Sequence, residues 1–379
     1  MKWNNTIGLV LMVLSCQSFN AQVTINLTSI PKDTPPNAKI YAAGSFNGWK
    51  PDDANFEFQK KSDHQYSLTL PKTDAPSIEY KLTLGCWDDV EGDQNGRPIS
   101  NRIIENPKDQ KIEVSILSWQ KPLKKKSTAS KNVHILNEKF EIPQLNTERR
   151  IWIYLPEDYS TSKKKYPVVY MHDGQNLFDE LTGYAGEWKI DETLDSLFQT
   201  TKKSFIVVGI DHGNEERLND YGPWNNPKYG GGKGDLYADF LALTLKPYID
   251  KNYRTLTSSE KTALMGSSMG GLISLYTGTK YPTQFGKLGV FSPSTWFTRT
   301  ELFQYLDQIS PLNQKTSFYF YGGHLEGDRL VEDMQDIAKI LEQHKVKSNH
   351  IKINTEQKGT HQEKFWAKEF PKALQFLFP

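Results

Sequence analysis

The chain reads as an α/β protein, a doubly wound and mostly parallel sheet preceded by a small all-β sandwich. Three observations predict this. Residues 23–117 hold short apolar runs at close spacing with turn residues between them, the pattern of an all-β sandwich. From residue 151 onward, short buried-type strands alternate with helical patterns, as in βα units. One such unit, Thr262-Ala-Leu-Met-Gly-Ser-Ser268-Met-Gly-Gly-Leu272, passes from strand to helix through a single sharp turn.

Taken in order, the first 21 residues read as a targeting segment. Lys2 supplies the positive start, Ile7 to Leu14 the apolar core, and Ser18-Phe-Asn-Ala21 a cleavage site before Gln22. The core is too short to span a membrane. The expectation is a secreted or periplasmic protein, with Val13-Leu-Ser-Cys16 offering the alternative of a lipoprotein anchored through Cys16. The two cysteines are Cys16 and Cys86, so cleavage at either place leaves no pair for an intramolecular disulfide.

Residues 22–118 form the sandwich domain. Strands are expected at Val23–Ile30, Lys39–Ala43, Phe56–Lys60, Tyr66–Leu70, Ile78–Leu84, Ile99–Ile104 and Lys111–Leu117. No pairing of nucleophile with base appears among them. Residues 119–131 are polar and cationic and read as a linker. Residues 132–379 form the α/β domain. Its strands are expected at Ile151–Leu155, Val168–Met171, Phe205–Ile210, Thr262–Met265, Leu288–Phe291, Phe318–Tyr321 and His350–Asn354. Helices are expected at Leu236–Tyr248, Leu272–Tyr281 and Leu330–Leu341 among others. The polar stretch Asp211–Asp235 is long for a loop in a compact domain and reads as one wall of a substrate pocket. Its Gly230-Gly-Gly-Lys-Gly234 is no phosphate loop, because no strand precedes it and no Gly-Lys-Ser/Thr follows. In such a sheet the site lies at the carboxyl ends of the strands.

Charge narrows the partners. With 46 basic and 45 acidic residues and a net charge of +1, nothing points to nucleic acid. No cofactor is implied.

The Gly-x-Ser-x-Gly turn carries the chemistry. A strand that reverses at once into a helix strains its central residue, and side chains two positions either side would collide. The Ser268 hydroxyl is then exposed at a helix N-terminus, where the dipole favours negative charge. A nucleophilic serine needs a histidine to take its proton and a carboxylate to orient that histidine. His324, His344, His350 and His361 follow Ser268. His344 lies in a charged helical run and His350 opens a strand. His361 sits in a loop directly before the last helix, where it can reach over the sheet. The acid belongs after the preceding strand, where Glu326 and Asp328 stand. Asp328 suits a helix N-cap, which leaves Glu326. Two backbone donors must meet the developing oxyanion. Met269 follows the nucleophile. Gln175, with Gly174 as the alternative, lies in the turn after the strand ending at His172, which itself reads as a hydrogen-bonded strand-end residue.

These residues resemble the esterase D and carbohydrate esterase group of α/β-hydrolases, which includes feruloyl, acetyl-xylan and siderophore esterases. The matching pieces are Arg150-Ile-Trp-Ile-Tyr-Leu-Pro156, Tyr170-Met-His-Asp-Gly-Gln-Asn176, Val207-Val-Gly-Ile-Asp211, Gly266-Ser-Ser-Met-Gly-Gly271, Gly323-His-Leu-Glu326 and His361-Gln-Glu-Lys-Phe-Trp366. The resemblance implies Ser268, Glu326 and His361 as the triad of a serine esterase. In the first domain, Gly44-Ser-Phe-Asn-Gly-Trp49-Lys-Pro and Glu79-Tyr-Lys81-Leu-Thr-Leu-Gly-Cys-Trp87-Asp, ending in Asn101-Arg102, resemble starch- and glycogen-binding modules of immunoglobulin-like shape. That likeness implies Trp49 and Trp87 stacking on sugar rings and Lys81 donating to hydroxyls. The implied partner is a polysaccharide or oligosaccharide ester. A siderophore-type esterase, a metal-dependent hydrolase using His172, Asp173, Asp211 and His212, and a non-catalytic carbohydrate-binding protein stand as alternatives.

Overall fold

The computed structural model describes residues 22–62, 65–73, 75–120, 127–183, 186–327 and 329–379. The expected targeting segment and Asp328 lie outside them. The chain divides into two compact units, residues 1–124 and 125–379.

In the first unit the strands are β1 (Thr24–Ser29), β2 (Tyr41–Gly44), β3 (Gln59–Ser62), β4 (Gln65–Thr69), β5 (Ser77–Thr83), β6 (Glu91–Gly92), β7 (Arg102–Glu105), β8 (Lys111–Ser115) and β9 (Ser118–Trp119). They form sheets of order β3-β4-β1-β8, β2-β5-β7 and β6-β9. Most of these lie where the alternation of apolar residues places them. The two-residue β6 and β9 are too short to leave a period. Inward residues of both larger sheets, among them Ile25, Leu27, Ile78, Tyr80, Leu82 and Val114, share one core. Glu91 is buried and satisfied: Arg102 pairs with it at 2.7 Å and the Leu82 N–H donates to it at 3.0 Å. A buried charge without such partners would be costly.

The second unit is built on an eight-stranded sheet. It opens with β10 (Val133–Ile142) and β11 (Thr147–Tyr154), then β12 (Val168–His172), helix α1 (Ile190–Thr201) and β13 (Ile206–Ile210). An arm follows, with α2 (Arg217–Tyr221), a hairpin of β14 (Asn225–Asn226) and β15 (Gly230–Gly231), and α3 (Gly234–Asp239). The chain continues through α4 (Lys246–Asn252), β16 (Thr262–Ser267), α5 (Met269–Lys280), β17 (Lys287–Phe291), α6 (Arg299–Gln308), β18 (Ser317–Gly323), α7 (Leu330–Gln343), β19 (Ile351–Glu356) and α8 (Glu363–Leu377). The sheet order is β10-β11-β13-β12-β16-β17-β18-β19. β10, β11 and β13 pair antiparallel, and β13, β12, β16, β17, β18 and β19 run parallel. The strands alternate between two cores. In β12, Val168 and Tyr170 face the layer holding α5, while Val169 and Met171 face the layer of α1 and α8. The chain winds outward in opposite directions on either side of β12, which opens a crevice at the carboxyl ends of the central strands.

Three local features differ from the sequence reading. β10 was not expected, because it is an edge strand with few buried residues and so shows little apolar period. The helix expected at Leu236–Tyr248 is real but contains a π-turn at Phe240–Leu245, just before Pro247, which lacks the N–H of an ordinary turn. The arm at 211–235 is folded rather than a bare loop. Within the expected linker, Ser127 Oγ donates to Asp179 at 2.6 Å, Thr128 Oγ1 to Glu187 at 2.8 Å, and the Ser130 N–H to Asp191 at 2.6 Å. Residues 121–126 lie outside the described residues.

Candidate active site

Ser268 is the single residue between β16 and α5, with φ 60° and ψ −125°. A non-glycine residue there costs on the order of 1–3 kcal/mol and persists where its surroundings over-determine it. They do so here. The Ser268 N–H donates to the Phe291 carbonyl at 3.0 Å, and its own carbonyl accepts from Leu272 and Ser294 N–H groups at 3.1 Å each. The neighbouring glycines are a packing requirement. A Cβ on Gly266 would lie 2.8 Å from the Gly270 backbone and 2.9 Å from the His172 ring, and one on Gly271 would lie 2.8 Å from the Phe291 carbonyl. The half-buried Ser268 hydroxyl lies 3.1 Å from Ser294 Oγ and, in this state, makes no hydrogen bond to His361.

The turns after β18 and β19 touch. A Cβ on Gly323 would come within 2.2 Å of the Gly359 carbonyl, so glycine is what lets the two backbones meet. The Leu325 N–H donates to that same carbonyl at 3.1 Å. This contact brings Glu326 against His361, with Oε2 2.7 Å from Nδ1. Glu326 Oε1 accepts from the Gly323 N–H at 2.7 Å and from Ser292 Oγ at 3.0 Å, and the carboxylate is 1% exposed. Ser292 in turn accepts from the Trp366 indole at 2.9 Å, and Trp366 packs edge-on against the His361 ring at 5.0 Å. His361 is 46% exposed. An imidazole that donates through Nδ1 to a carboxylate keeps Nε2 free as an acceptor.

Met269 opens α5, so its N–H is one of the donors without an intrahelical partner. Gln175 lies in the short turn Gly174–Asn176 after β12. Its peptide is held from both sides: its carbonyl accepts from Thr182 Oγ1 at 2.7 Å, and its side chain accepts from the His212 N–H at 3.2 Å. Asp173, before this turn, has φ 59° and is clasped by Arg217 through two bonds of 2.7 and 2.8 Å. Burial alone would raise the Asp173 pKa, but the Arg217 charge and its hydrogen bonds outweigh it and hold the carboxyl below its usual value.

His172 is buried beneath the elbow, with Nδ1 3.2 Å from the Tyr237 hydroxyl. Burial pushes its pKa down to about 4, a pull that Asp173 only partly opposes. Asp211 is held by Arg150 at 2.9 Å and by the Trp152 indole at 2.7 Å. The carboxylates required by the metal-dependent alternative are thus already engaged. Among the described residues no group of three or more His, Cys, Asp or Glu is arranged to hold a metal ion.

Beside His361 and Glu326 lies a cleft of about 400 Å³, whose wall includes Thr295, Trp296, Arg299 and Arg329. The contacts of Arg217, Ser292, Ser294 and Trp366 with this constellation were not foreseen from sequence. The holds of Arg217 on Asp173, Ser292 on Glu326, Ser294 on Ser268 and Trp366 on Ser292 each act across a large separation along the chain, which a linear motif does not record.

In the first unit, Trp49 and Trp87 stand together with ring centroids 6.3 Å apart and planes tilted by 39°. Trp87 is exposed and Trp49 half-buried, with φ 62° at the end of the Gly44 turn. The Lys81 ammonium donates to the Ile99 carbonyl, and burial lowers its pKa. Part of its donor capacity is therefore already used. No helix among the described residues is long and apolar enough to cross a membrane.

The chain is similar to several known proteins. YbbA, an uncharacterized protein of Bacillus subtilis (strain 168), is 27% identical over 244 residues, 61% of this chain and 92% of its own length. An alpha-amylase of Niallia circulans is 41% identical over 76 residues, 20% of this chain and 6% of that much longer protein. The crystal structure of the enterobactin esterase FES from Shigella flexneri, in the presence of enterobactin, matches with a TM-score of 0.56 at 16% identity, covering 90% of this chain and 88% of that one. At that identity the likeness shows the fold, an α/β-hydrolase. The family model described as "Putative esterase" matches residues 142–377, which span β11 to α8 together with every residue of the constellation around Ser268, and the chain belongs to that esterase family.

Proposed function

We propose that the protein is a serine carboxylic-ester hydrolase in which Ser268 attacks, His361 moves the proton and Glu326 holds the histidine. The observation that carries this reading is the 2.7 Å contact between His361 and the buried Glu326 carboxylate, beside a serine on a strained strand-to-helix elbow. In this reading the Ser268 hydroxyl leaves Ser294, 3.1 Å away, and turns to His361 Nε2. That nitrogen takes the proton as Oγ bonds to the ester carbonyl carbon, and Glu326 stabilises the imidazolium. The carbonyl oxygen becomes an oxyanion that the Met269 and Gln175 N–H groups receive. Collapse breaks the ester C–O bond, and the departing oxygen takes the proton from His361 to leave as the alcohol. Water then repeats the cycle on the acyl-enzyme, releasing the acid and restoring Ser268. Turnover of 4-nitrophenyl acetate that survives chelators tests this reading, and activity abolished by chelation would sink it.

The substrate we infer is an acyl group on a polysaccharide or its fragments, acted on by an exported enzyme. Support comes from the Trp49–Trp87 pair on a domain we read as a carbohydrate-binding β-sandwich, and from the short match to an alpha-amylase. A binding domain on the same chain makes the second contact intramolecular and raises the local concentration of ester. Trp49→Ala is expected to weaken α-glucan binding by about 1 kcal/mol, roughly fivefold, without changing turnover of a small soluble ester. Affinity electrophoresis in starch, xylan and blank gels measures this. Equal migration of variant and wild type in every gel would refute the binding role. A panel of feruloyl, acetyl and siderophore esters separates the polysaccharide reading from the siderophore alternative.

A further inference from the structure

The cleft beside His361 carries groups that the ester-cleaving step does not use. Trp296 stands on the turn Thr295–Thr298, 61% exposed, with Tyr229 of the arm edge-on at 5.6 Å. Arg299 opens α6 and Arg329 precedes α7, and both line the same cleft. Among the described residues, the carboxylates near them are Asp333 and Glu326, which line the cleft, and Asp336, which is outside its lining and is paired with Lys339 at 2.9 Å. Glu326 is taken up by His361, Ser292 and the Gly323 N–H. Asp333 is 2% exposed and is satisfied by Arg299 at 2.9 Å and by Thr295 Oγ1 at 2.7 Å. Arg299 also packs over the Phe303 ring at 4.4 Å. Arg329 differs: its side chain is 61% exposed and its nearest approach to Asp333 is 3.9 Å, beyond hydrogen-bonding distance. A guanidinium fork is therefore presented to solvent in the same cleft as a flat indole.

These two groups complement one kind of ligand. An indole face covers the C–H face of a pyranose, and a guanidinium matches a carboxylate through two parallel bonds. The side of the ester follows from the chemistry, since the histidine that protonates the departing alcohol must adjoin it. Resting on the esterase reading of this site, we propose that the cleft is a leaving-group subsite for a sugar ring bearing a carboxylate, a uronic acid, stacked on Trp296 and paired with Arg329. The natural substrate class is then an ester on an acidic, uronate-containing saccharide.

The test is inhibition of 4-nitrophenyl acetate hydrolysis by glucuronate and by glucose, read as the ratio of their inhibition constants so that general losses cancel. Glucuronate is expected to bind about tenfold more tightly than glucose, the size of one charge-assisted bidentate contact. High salt should shrink the ratio. Arg329→Gln should bring it to within about twofold of unity, and Trp296→Ala should weaken both sugars together. Equal inhibition of the wild type by the two sugars, or a ratio unchanged in Arg329→Gln, overturns the proposal. Failure of the esterase reading would appear separately, as no turnover of 4-nitrophenyl acetate. The same ratio is then read from saturation-transfer NMR of the two sugars on the full chain, with the same criteria.

Discussion

Ser268→Ala is expected to lower kcat/KM for 4-nitrophenyl acetate by about 10³-fold or more while leaving the thermal unfolding curve nearly unchanged. The substitution is a clean one. Alanine keeps a Cβ at φ 60°, so the backbone strain of the elbow stays as it is, and the three backbone hydrogen bonds that hold the residue remain. What disappears is Oγ and its 3.1 Å contact with Ser294. Retention of more than about a tenth of wild-type activity, against a loss of that expected size, would remove Ser268 from the role of nucleophile.

Glu326→Gln is expected to produce the second-largest loss, about 10³-fold in kcat. The amide is neutral, and it can turn its NH₂ toward His361 Nδ1. That would favour the tautomer protonated on Nε2, which cannot accept the serine proton. The carboxylate also accepts from Ser292 and the Gly323 N–H. Kinetics should therefore be read beside a stability measurement, so that a loosened turn is not mistaken for lost chemistry. Asp328→Asn is expected to cost less than about tenfold, because only one carboxylate can occupy the place opposite Nδ1. The reverse ranking would transfer the role to Asp328, and small equal losses would indicate a Ser–His dyad.

Much of the α/β unit was legible because its signals are local. The β12, β16, β17 and β18 segments are apolar along their central residues, as strands buried on both faces are, with polar residues confined to their ends, and their observed limits lie close to those expected. The elbow was legible because steric exclusion at two fixed offsets from Ser268 demands glycine, and glycine shows in a sequence. The chain order of Ser268, Glu326 and His361 was visible too, and their turns follow β16, β18 and β19 in that order.

Other features were not legible, for physical reasons. β10 lies at the sheet edge and buries little besides Phe140 and Ile142, so it lacks the period of a central strand. The clasp of Asp173 by Arg217 joins residues 44 apart in the chain. The hold of Ser292 on Glu326 spans 34, and that of Trp366 on Ser292 spans 74. A serine or a tryptophan in such a place looks like any other until the sheet brings it home. Lys81 shows the converse. The resemblance to sugar-binding modules implies a donor to sugar hydroxyls, whereas the fold sets the Ile99 carbonyl against it.

The central claim is that Ser268 forms the acyl-enzyme, and covalent capture tests it most directly. The full chain is treated with a fluorophosphonate, digested, and the modified peptide is sequenced by mass spectrometry. The account predicts one adduct per chain, on Ser268, with activity falling in proportion to labelling and no adduct in Ser268→Ala. An adduct at another residue, or a fully labelled protein that still hydrolyses ester at the original rate, would contradict it.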